Sequence, residues 1–162
     1  MNKSLGMNFM EEHGKELAAF IKKGLQSEFE VKGTDLDDGM QLQVYEEGPW
    51  SYENRWIHGE PATGITIVRY EGTPCWSMVY FSRMLTYADR AEVYATLRTV
   101  FAEPSSENFL RGPCETHLKT GYSYFNVLHG ALARFDGLET VKSPDEDIVF
   151  KILYRGGAVC VY

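Results

Sequence analysis

The sequence of 162 residues has few cysteines and no long apolar run. Its cysteines, Cys75, Cys114 and Cys160, form an odd and sparse set, which argues against the disulfide framework of a secreted domain. The first residues lack the apolar segment of a signal peptide, and no stretch approaches the length of a membrane-spanning helix. The sequence therefore predicts a cytoplasmic protein with reduced thiols and no membrane association.

Basic residues are also scarce, since 16 Lys and Arg stand against 23 Asp and Glu, for a formal net charge of −7. A chain of net negative charge repels the phosphate backbone, and no Lys/Arg cluster offsets that repulsion. The sequence therefore predicts no nucleic-acid partner. Much of the excess lies in residues 1–47, which hold ten acids and five bases.

Recognisable catalytic and cofactor motifs are missing. The chain has no Gly-x-Ser-x-Gly elbow, no phosphate-binding loop and no dinucleotide-binding fingerprint. Cys114 and His117 have the spacing of two zinc ligands, but no second pair accompanies them. Glu53 and Glu139 are interpreted as solvent-facing acids, because nothing in the sequence makes them converge across a cleft. The sequence predicts neither a cofactor nor a bound metal.

Hydrophobic periodicity predicts an α+β fold. Apolar residues recur at helical spacing over residues 8–25 and 87–101, with Asn8 and Thr86 as N-terminal caps. Alternating, aromatic-rich runs over residues 40–83 and 122–162 predict two β meanders. We therefore expect one domain over residues 1–162, in which two helices cover a curved antiparallel sheet.

Aromatic residues make up 14% of the chain, and they recur in similar order in the two predicted meanders. The run Trp50-Ser-Tyr-Glu-Asn54 resembles Tyr122-Ser-Tyr-Phe-Asn126, and Gly64 corresponds to Gly137. One interpretation is a duplicated three-stranded meander, with one copy on each side of the second helix. The alternative is chance similarity between aromatic strands.

Aromatic and arginine residues supply the candidate binding site. Trp50 and Tyr52 share one face of a predicted strand, and Trp76 is expected on a strand nearby. Arg55 and Arg111 would add positive charge at the margin. A concavity lined by these aromatic rings, with the two arginines at its margin, would suit an anionic or planar ligand. The alternative is that the rings fill the core and that Arg111 pairs with a carboxylate.

Cys114 and His117 are the candidates for catalysis. A thiolate could be activated by His117 and Arg111, with Glu115 close by in sequence. The alternative is a half-buried loop thiol without a catalytic role, because a single Cys–His pair is common.

The spacing of aromatic residues and glycines resembles that of a known family. The residues that carry the resemblance are Tyr45, Gly48, Trp50-Ser-Tyr, Gly59, Pro74, Trp76-Ser-Met, Tyr80, Arg111-Gly-Pro, Tyr122-Ser-Tyr, Phe135, Gly137 and Tyr154-Arg-Gly-Gly. Together they are similar to a bacterial domain of unknown function that occurs alone and, in some proteins, behind a helix-turn-helix regulator segment. The resemblance covers most of the chain and implies a fold but no chemistry. This chain shows no helix-turn-helix pattern and is expected to be a stand-alone member.

The sequence favours a non-enzymatic domain that binds a small molecule or a protein partner. One alternative is a small hydrolase or transferase that uses the loop from Arg111 to His117. Another is an inhibitor or decoy that presents its acidic N-terminal segment to a basic partner. We also expect a homodimer formed through an edge strand near residues 158–162.

Overall fold

A computed structural model describes residues 5–86, 89–102 and 110–159. Helix α1 (Leu5–Glu30) precedes the strands of the first half: β1 (Thr34–Asp35), β2 (Met40–Glu47), β3 (Trp50–Ile57), β4 (Ala62–Tyr70) and β5 (Thr73–Met84). Helix α2 (Arg90–Ala102) precedes those of the second half: β6 (Glu115–His117), β7 (Ser123–Ala131), β8 (Arg134–Lys142) and β9 (Ile148–Ala158). The predicted α+β class is confirmed.

The strands form one antiparallel sheet of nine, in the order β1-β2-β3-β4-β5-β9-β8-β7-β6. Each half is therefore a meander, and the two meanders meet where β5 pairs with β9. Within that pairing Tyr80 lies directly opposite Tyr154. The sheet is not closed, so β1 and β6 are the outermost strands among the described residues.

Successive side chains on each strand point to opposite sides of the sheet. On β3, for example, Tyr52 is buried on the helix side, whereas Glu53 is partly exposed on the outer side. A tight turn joins β4 to β5. There Glu71 and Gly72 have φ angles of 49° and 79°, which is the left-handed conformation that a two-residue hairpin turn requires at both positions.

Both helices pack on the same side of the sheet. Helix α1 contacts β2, β3 and β9, helix α2 contacts β7, and the two helices contact each other. The apolar stripe of α1 is completely or almost completely buried and consists of Leu17, Phe20, Ile21 and Leu25. Each such side chain contributes about 1.5–3 kcal/mol by leaving water. Neither helix of the described ranges is long and apolar enough to cross a membrane.

Helix α1 is longer than the predicted helix of residues 8–25. It runs from Leu5 to Glu30, so Asn8 lies inside it rather than at its N-terminal cap. Gly24 does not end the helix either. A Cβ atom at Gly24 would collide with the ring of Tyr52, so the glycine allows α1 to pack closely on β3.

The second half also differs from the predicted boundaries. Helix α2 is described from Arg90, and residue 87, its predicted start, lies outside the described residues. A short strand, β6, forms where the sequence predicts a loop. Strand β9 pairs with β5 on one side and with β8 on the other. Ala158 is therefore not at an edge of the sheet, because the chain returns to the centre after β8. Residues 160–162 lie outside the described ranges, and a homodimer stays a prediction.

Candidate functional site

Polar side chains are concentrated on the helix side of the sheet, where a core would normally be apolar. We call these residues the polar cluster: Glu28, Tyr52, Asn54, Thr66, Tyr80, Arg111, Tyr124, Asn126, Glu139 and Tyr154. Eight of the ten belong to strands β3, β4, β5, β7, β8 and β9. Glu28 reaches the cluster from the last turn of α1, and Arg111 from the segment after α2.

Glu28 is the acceptor on the first half of the cluster. The Tyr52 hydroxyl donates a hydrogen bond to its carboxylate, and the nearby Asn54 side chain favours the ionised form, which lowers the pKa of Glu28. The Oδ1 atom of Asn54 accepts from the Tyr80 hydroxyl at 3.2 Å and from the Thr66 hydroxyl at 3.3 Å. These hydrogen bonds join α1 to β3, and β3 to β4 and β5.

The second half has a related arrangement, in which the asparagine donates to a backbone carbonyl. The Tyr154 hydroxyl donates to Oδ1 of Asn126 at 2.7 Å, and Nδ2 of Asn126 donates to the Gly112 carbonyl at 3.1 Å. Asn54 and Asn126 occupy corresponding positions of the two similar sequence runs, on β3 and β7. The duplication itself stays a prediction.

Two glycines make room for the tyrosines at the centre of the sheet. A Cβ atom at Gly64 would collide with the ring of Tyr80, and one at Gly137 with the ring of Tyr154. Each ring therefore lies across the neighbouring strand, with its hydroxyl directed to an asparagine one strand further on. Burial raises the pKa of both hydroxyls, so they remain hydrogen-bond donors at neutral pH.

Arg111 and Glu139 form an ion pair through two contacts, Nε to Oε1 and Nη2 to Oε2, the second at 3.2 Å. Their side chains are only 7% and 1% exposed. The guanidinium also lies 5.2 Å from the ring centroid of Phe101 and 5.6 Å from that of Tyr154. Burial alone would favour neutral arginine, but the Glu139 carboxylate raises the pKa of Arg111, which stays charged.

Among the described residues, no cationic side chain bonds to Glu28 in this way. Burial raises the pKa of its carboxyl group to about 7, against the opposing effects of Tyr52, the Arg111 charge and Asn54. Near neutral pH the carboxyl group is therefore ionised in about half of the molecules. When it is ionised, the polar cluster holds two carboxylates and one guanidinium.

Tyr124 is a further polar group without a good partner. Its side chain is 0% exposed, and its hydroxyl, although it lies near Glu139, makes no hydrogen bond of good geometry with the described residues. A buried hydroxyl in this state lowers stability by roughly 1–3 kcal/mol.

The structure brings Tyr52 and Arg111 into the polar cluster and places the other binding candidates elsewhere. Trp50 lies in an aromatic corner with Phe20 and Tyr70, at centroid distances of 5.6 and 4.8 Å. Trp76 stacks on a neighbouring phenylalanine, and its indole N–H donates to a backbone carbonyl at 3.1 Å. Arg55 pairs with Asp38 at 2.9 Å outside the cluster.

The catalytic candidates lie at the surface beside the edge strand β6. Cys114 is exposed, and so is the side chain of His117. Nδ1 of His117 lies 2.7 Å from the Ser123 hydroxyl, and Nε2 lies 2.6 Å from Glu115. Both ring nitrogens are thus engaged by oxygens, and neither is available to a cysteine in this arrangement.

Several cluster residues are not among the candidates that the sequence indicates. Glu139 was expected to face solvent but is completely buried; Glu53 pairs with Arg69 at 3.1 Å on the outer side. The alternation along β8 is a signal for Glu139, because it shares a face with Phe135 and Val141. Within the described residues, no three His, Cys, Asp or Glu side chains come together as a metal site would require.

Comparison with known proteins identifies the family but no function. The family model described as "Domain of unknown function (DUF5680)" matches residues 55–159, well over half of the chain. This range includes β4 to β9 but not Glu28, Tyr52 or Asn54. The searches of curated proteins and of solved structures give no match. The predicted membership of a domain-of-unknown-function family is confirmed, and the chain belongs to the DUF5680 family.

Proposed function

We propose that this chain is a non-enzymatic domain that binds a small organic molecule at the polar cluster. The proposal is supported by one observation above all, the concentration of hydrogen-bonding side chains beneath the two helices. A buried polar group destabilises a fold by roughly 1–3 kcal/mol unless it is paired. A buried ion pair is often no more stabilising than apolar residues of the same volume. Stability alone therefore does not explain why these residues are here.

Access to the cluster supports the same proposal. Glu28 and Tyr80 are partly exposed, whereas Asn54 and Thr66, which bond to or lie next to them, are buried. The cluster combines the rings of Tyr52 and Tyr80 with the polar groups of Glu28 and Asn54. That combination is typical of small-molecule sites, in which apolar walls provide affinity and a few polar atoms fix the orientation.

The alternative of a hydrolase or transferase has less support. It depends on the segment from Arg111 to His117, but Arg111 points into the core and pairs with Glu139. His117 lies outside the core on an edge strand and contacts Glu115 and Ser123. We therefore place the proposed ligand at the polar cluster and assign no catalytic role to Cys114 or His117.

A thermal-shift screen tests the proposal. We would measure the melting temperature of the protein with a library in which basic, neutral and acidic metabolites are equally represented. A ligand at about 100 times its dissociation constant stabilises the folded state by about 2.7 kcal/mol, which is a shift of several degrees. We expect at least one class of compound to give such a shift.

Two single substitutions at adjacent residues show whether a ligand that raises the melting temperature binds at the polar cluster. Tyr80→Phe removes one hydroxyl from the polar cluster, and Val79→Thr changes the exposed outer side of the same strand. We expect the shift to persist in Val79→Thr and to fall in Tyr80→Phe. Equal shifts in both variants, or no shift in the native protein with any compound, would contradict the proposal.

A further inference from the structure

One row of side chains crosses the outer side of the sheet, away from both helices and from the polar cluster. Its members lie directly opposite one another on six neighbouring strands, from β3 to β7 in the order of the sheet. We call it the apolar row: Ile57, Thr63, Phe81, Leu153, Leu138 and Val127. Four of its five aliphatic or aromatic side chains are between 41% and 57% exposed. Large apolar side chains that are exposed together are typical of an interaction surface.

A groove of about 430 Å³ lies at the centre of the apolar row, where the two meanders meet. The side chains that line it are mostly apolar and include Thr63, Val79, Phe81, Asp136, Leu153 and Arg155. A concave site of this kind can hold a large side chain of a partner, and such anchors supply most of the binding energy of an interface.

Two cations border the apolar row on one side. Arg83 and Lys151 lie directly opposite each other on β5 and β9, each two residues from a member of the row. Like charges in this position repel each other, and within the described ranges neither side chain has an ion-pair partner. On the other side of the row Arg155 lies opposite Asp136, so an acid is near its charge. The row therefore suits a partner that is apolar along its length and acidic along the edge that faces Arg83 and Lys151.

The dimensions of the apolar row favour a helix as that partner. Six strands at a spacing of about 4.8 Å make the row roughly 24 Å long, which is the length of about 16 residues of α-helix. The backbone groups of the central strands are paired with their neighbours in the sheet, so an extended segment would find no backbone partner on this face. A helix satisfies its own backbone and presents apolar anchors at positions i, i+3, i+4 and i+7.

We propose that the outer side of the sheet docks an amphipathic helix of another protein, with its apolar stripe on the apolar row and its acidic residues beside Arg83 and Lys151. This inference goes beyond the proposed function and does not depend on it, because the polar cluster lies on the opposite side of the sheet. A second copy of this chain fits less well, since it would bring a second Arg83 and Lys151 to the interface. An anionic membrane surface would be repelled by Asp136, which lines the groove.

A display library of helical peptides of about 16 residues tests the proposal on the full chain. We expect the enriched peptides to carry Leu, Ile or Phe at helical spacing and Asp or Glu along one edge. Replacing those acids in the best binder by their amides should weaken binding about fivefold, because each exposed ion pair contributes little. Enriched peptides without acids, or a library that yields no binder, would overturn the proposal.

Matched variants of this chain locate the binding site. Leu153→Ser replaces a side chain of the apolar row that is 57% exposed, and Val31→Ser replaces one that is 58% exposed just after α1. We expect Leu153→Ser to weaken binding of the best peptide at least about tenfold and Val31→Ser to leave it unchanged, while both variants keep the native melting temperature. Lys151→Gln should weaken binding of the acidic peptide but not of its amide form. Equal binding to Leu153→Ser and Val31→Ser would overturn the proposal.

The other occupants are tested with the same variant. Sedimentation velocity measures self-association of the native protein, and co-sedimentation with phosphatidylserine vesicles measures membrane binding. We expect neither to depend on Leu153. Self-association or vesicle binding that Leu153→Ser abolishes would assign the apolar row to a second copy or to a membrane and overturn the helix proposal.

Discussion

Tyr80 and Tyr154 lie directly opposite each other on the two central strands of the sheet, and each hydroxyl donates to an asparagine two strands away. The two asparagines differ in their other partners. Asn54 also accepts from Thr66, whereas Tyr154 is the donor that the described structure gives to Oδ1 of Asn126. Corresponding substitutions in the two halves should therefore have different effects.

Tyr154→Phe should destabilise the protein more than Tyr80→Phe. Without the Tyr154 hydroxyl, a buried acceptor on Asn126 loses its bond, and we expect a loss of about 1–3 kcal/mol. Asn54 keeps the bond from Thr66, so Tyr80→Phe should lower stability by about 0.5–1.5 kcal/mol. Urea unfolding of both variants measures the difference. Equal losses would show that the two asparagines are equivalently satisfied.

The glycines beneath the two rings should not tolerate a methyl group. Gly64→Ala and Gly137→Ala place a Cβ atom within the rings of Tyr80 and Tyr154, and we expect each to lower the free energy of unfolding by about 1–3 kcal/mol. Gly59→Ala is the control, because nothing lies within 4 Å of a Cβ atom there. A control variant as unstable as the other two would show that the effect is not steric.

The buried ion pair predicts that substitutions of Arg111 and Glu139 have strongly coupled effects on stability. Arg111→Met leaves Glu139 charged and buried, and we expect it to lower stability by about 3–5 kcal/mol. The double variant Arg111→Met with Glu139→Leu removes the stranded charge and should recover much of that loss. Chemical denaturation of the single and double variants tests this. A double variant that is less stable than Arg111→Met would mean that the pair is not coupled as described.

Glu28 should make the protein less stable at higher pH. Its pKa is raised from 4.5 to about 7 in the folded state, so the folded protein holds this proton more tightly than the unfolded chain. The resulting stability is complete below about pH 4.5 and is lost as the pH rises through about 7. We therefore expect Glu28→Gln to be more stable than the native protein by about 1–3 kcal/mol at about pH 8, and little different at about pH 4.5.

Unfolding in urea at the two pH values measures this contribution, with Glu30→Gln as the exposed control. If Glu28→Gln gains no stability at the higher pH, the carboxyl group is not desolvated in the folded protein.

The thiols should differ in reactivity. Burial raises the pKa of Cys75 to about 11, whereas Cys114 is exposed. In a Cys160→Ser background, a thiol reagent should modify Cys114 rapidly and Cys75 only on unfolding. Mass spectrometry of the folded Cys160→Ser protein counts the modified thiols, and a further Cys114→Ser substitution should abolish the fast reaction. Rapid modification of Cys75 would contradict its described burial.

Local patterns in the sequence were enough to predict the two helices, the two meanders and the α+β class. The alternation of side chains along a strand and the turn at Glu71 and Gly72 each depend only on residues that are close together in the sequence. Such local features can be predicted from the sequence alone. The central pairing of β5 with β9 is a contact between distant parts of the chain. The edge strand was expected near residues 158–162, and the position of β9 between β5 and β8 could not be read from its residues.

The candidate site was predicted only in part, for a similar reason. Tyr52 and Arg111 were candidates, but Glu28 looks like any acid near the end of an amphipathic helix, and only packing of α1 on β3 shows its contact with Tyr52. Asn54 and Asn126 belong to the two similar sequence runs, but nothing in the sequence gave a chemical reason to select them as site residues. Trp50 and Trp76 are of a residue type that is common in binding sites, but their rings pack into the core.

Ring-labelled tyrosine NMR can show whether a ligand occupies the polar cluster. During titration with the compound that gives the largest thermal shift, we predict that the resonances of Tyr52 and Tyr80 will move together and saturate. Tyr94, which is exposed on α2, should stay unchanged. Movement of Tyr94 with unchanged Tyr52 and Tyr80 would contradict the proposal, because the ligand would then bind away from the buried network at Glu28.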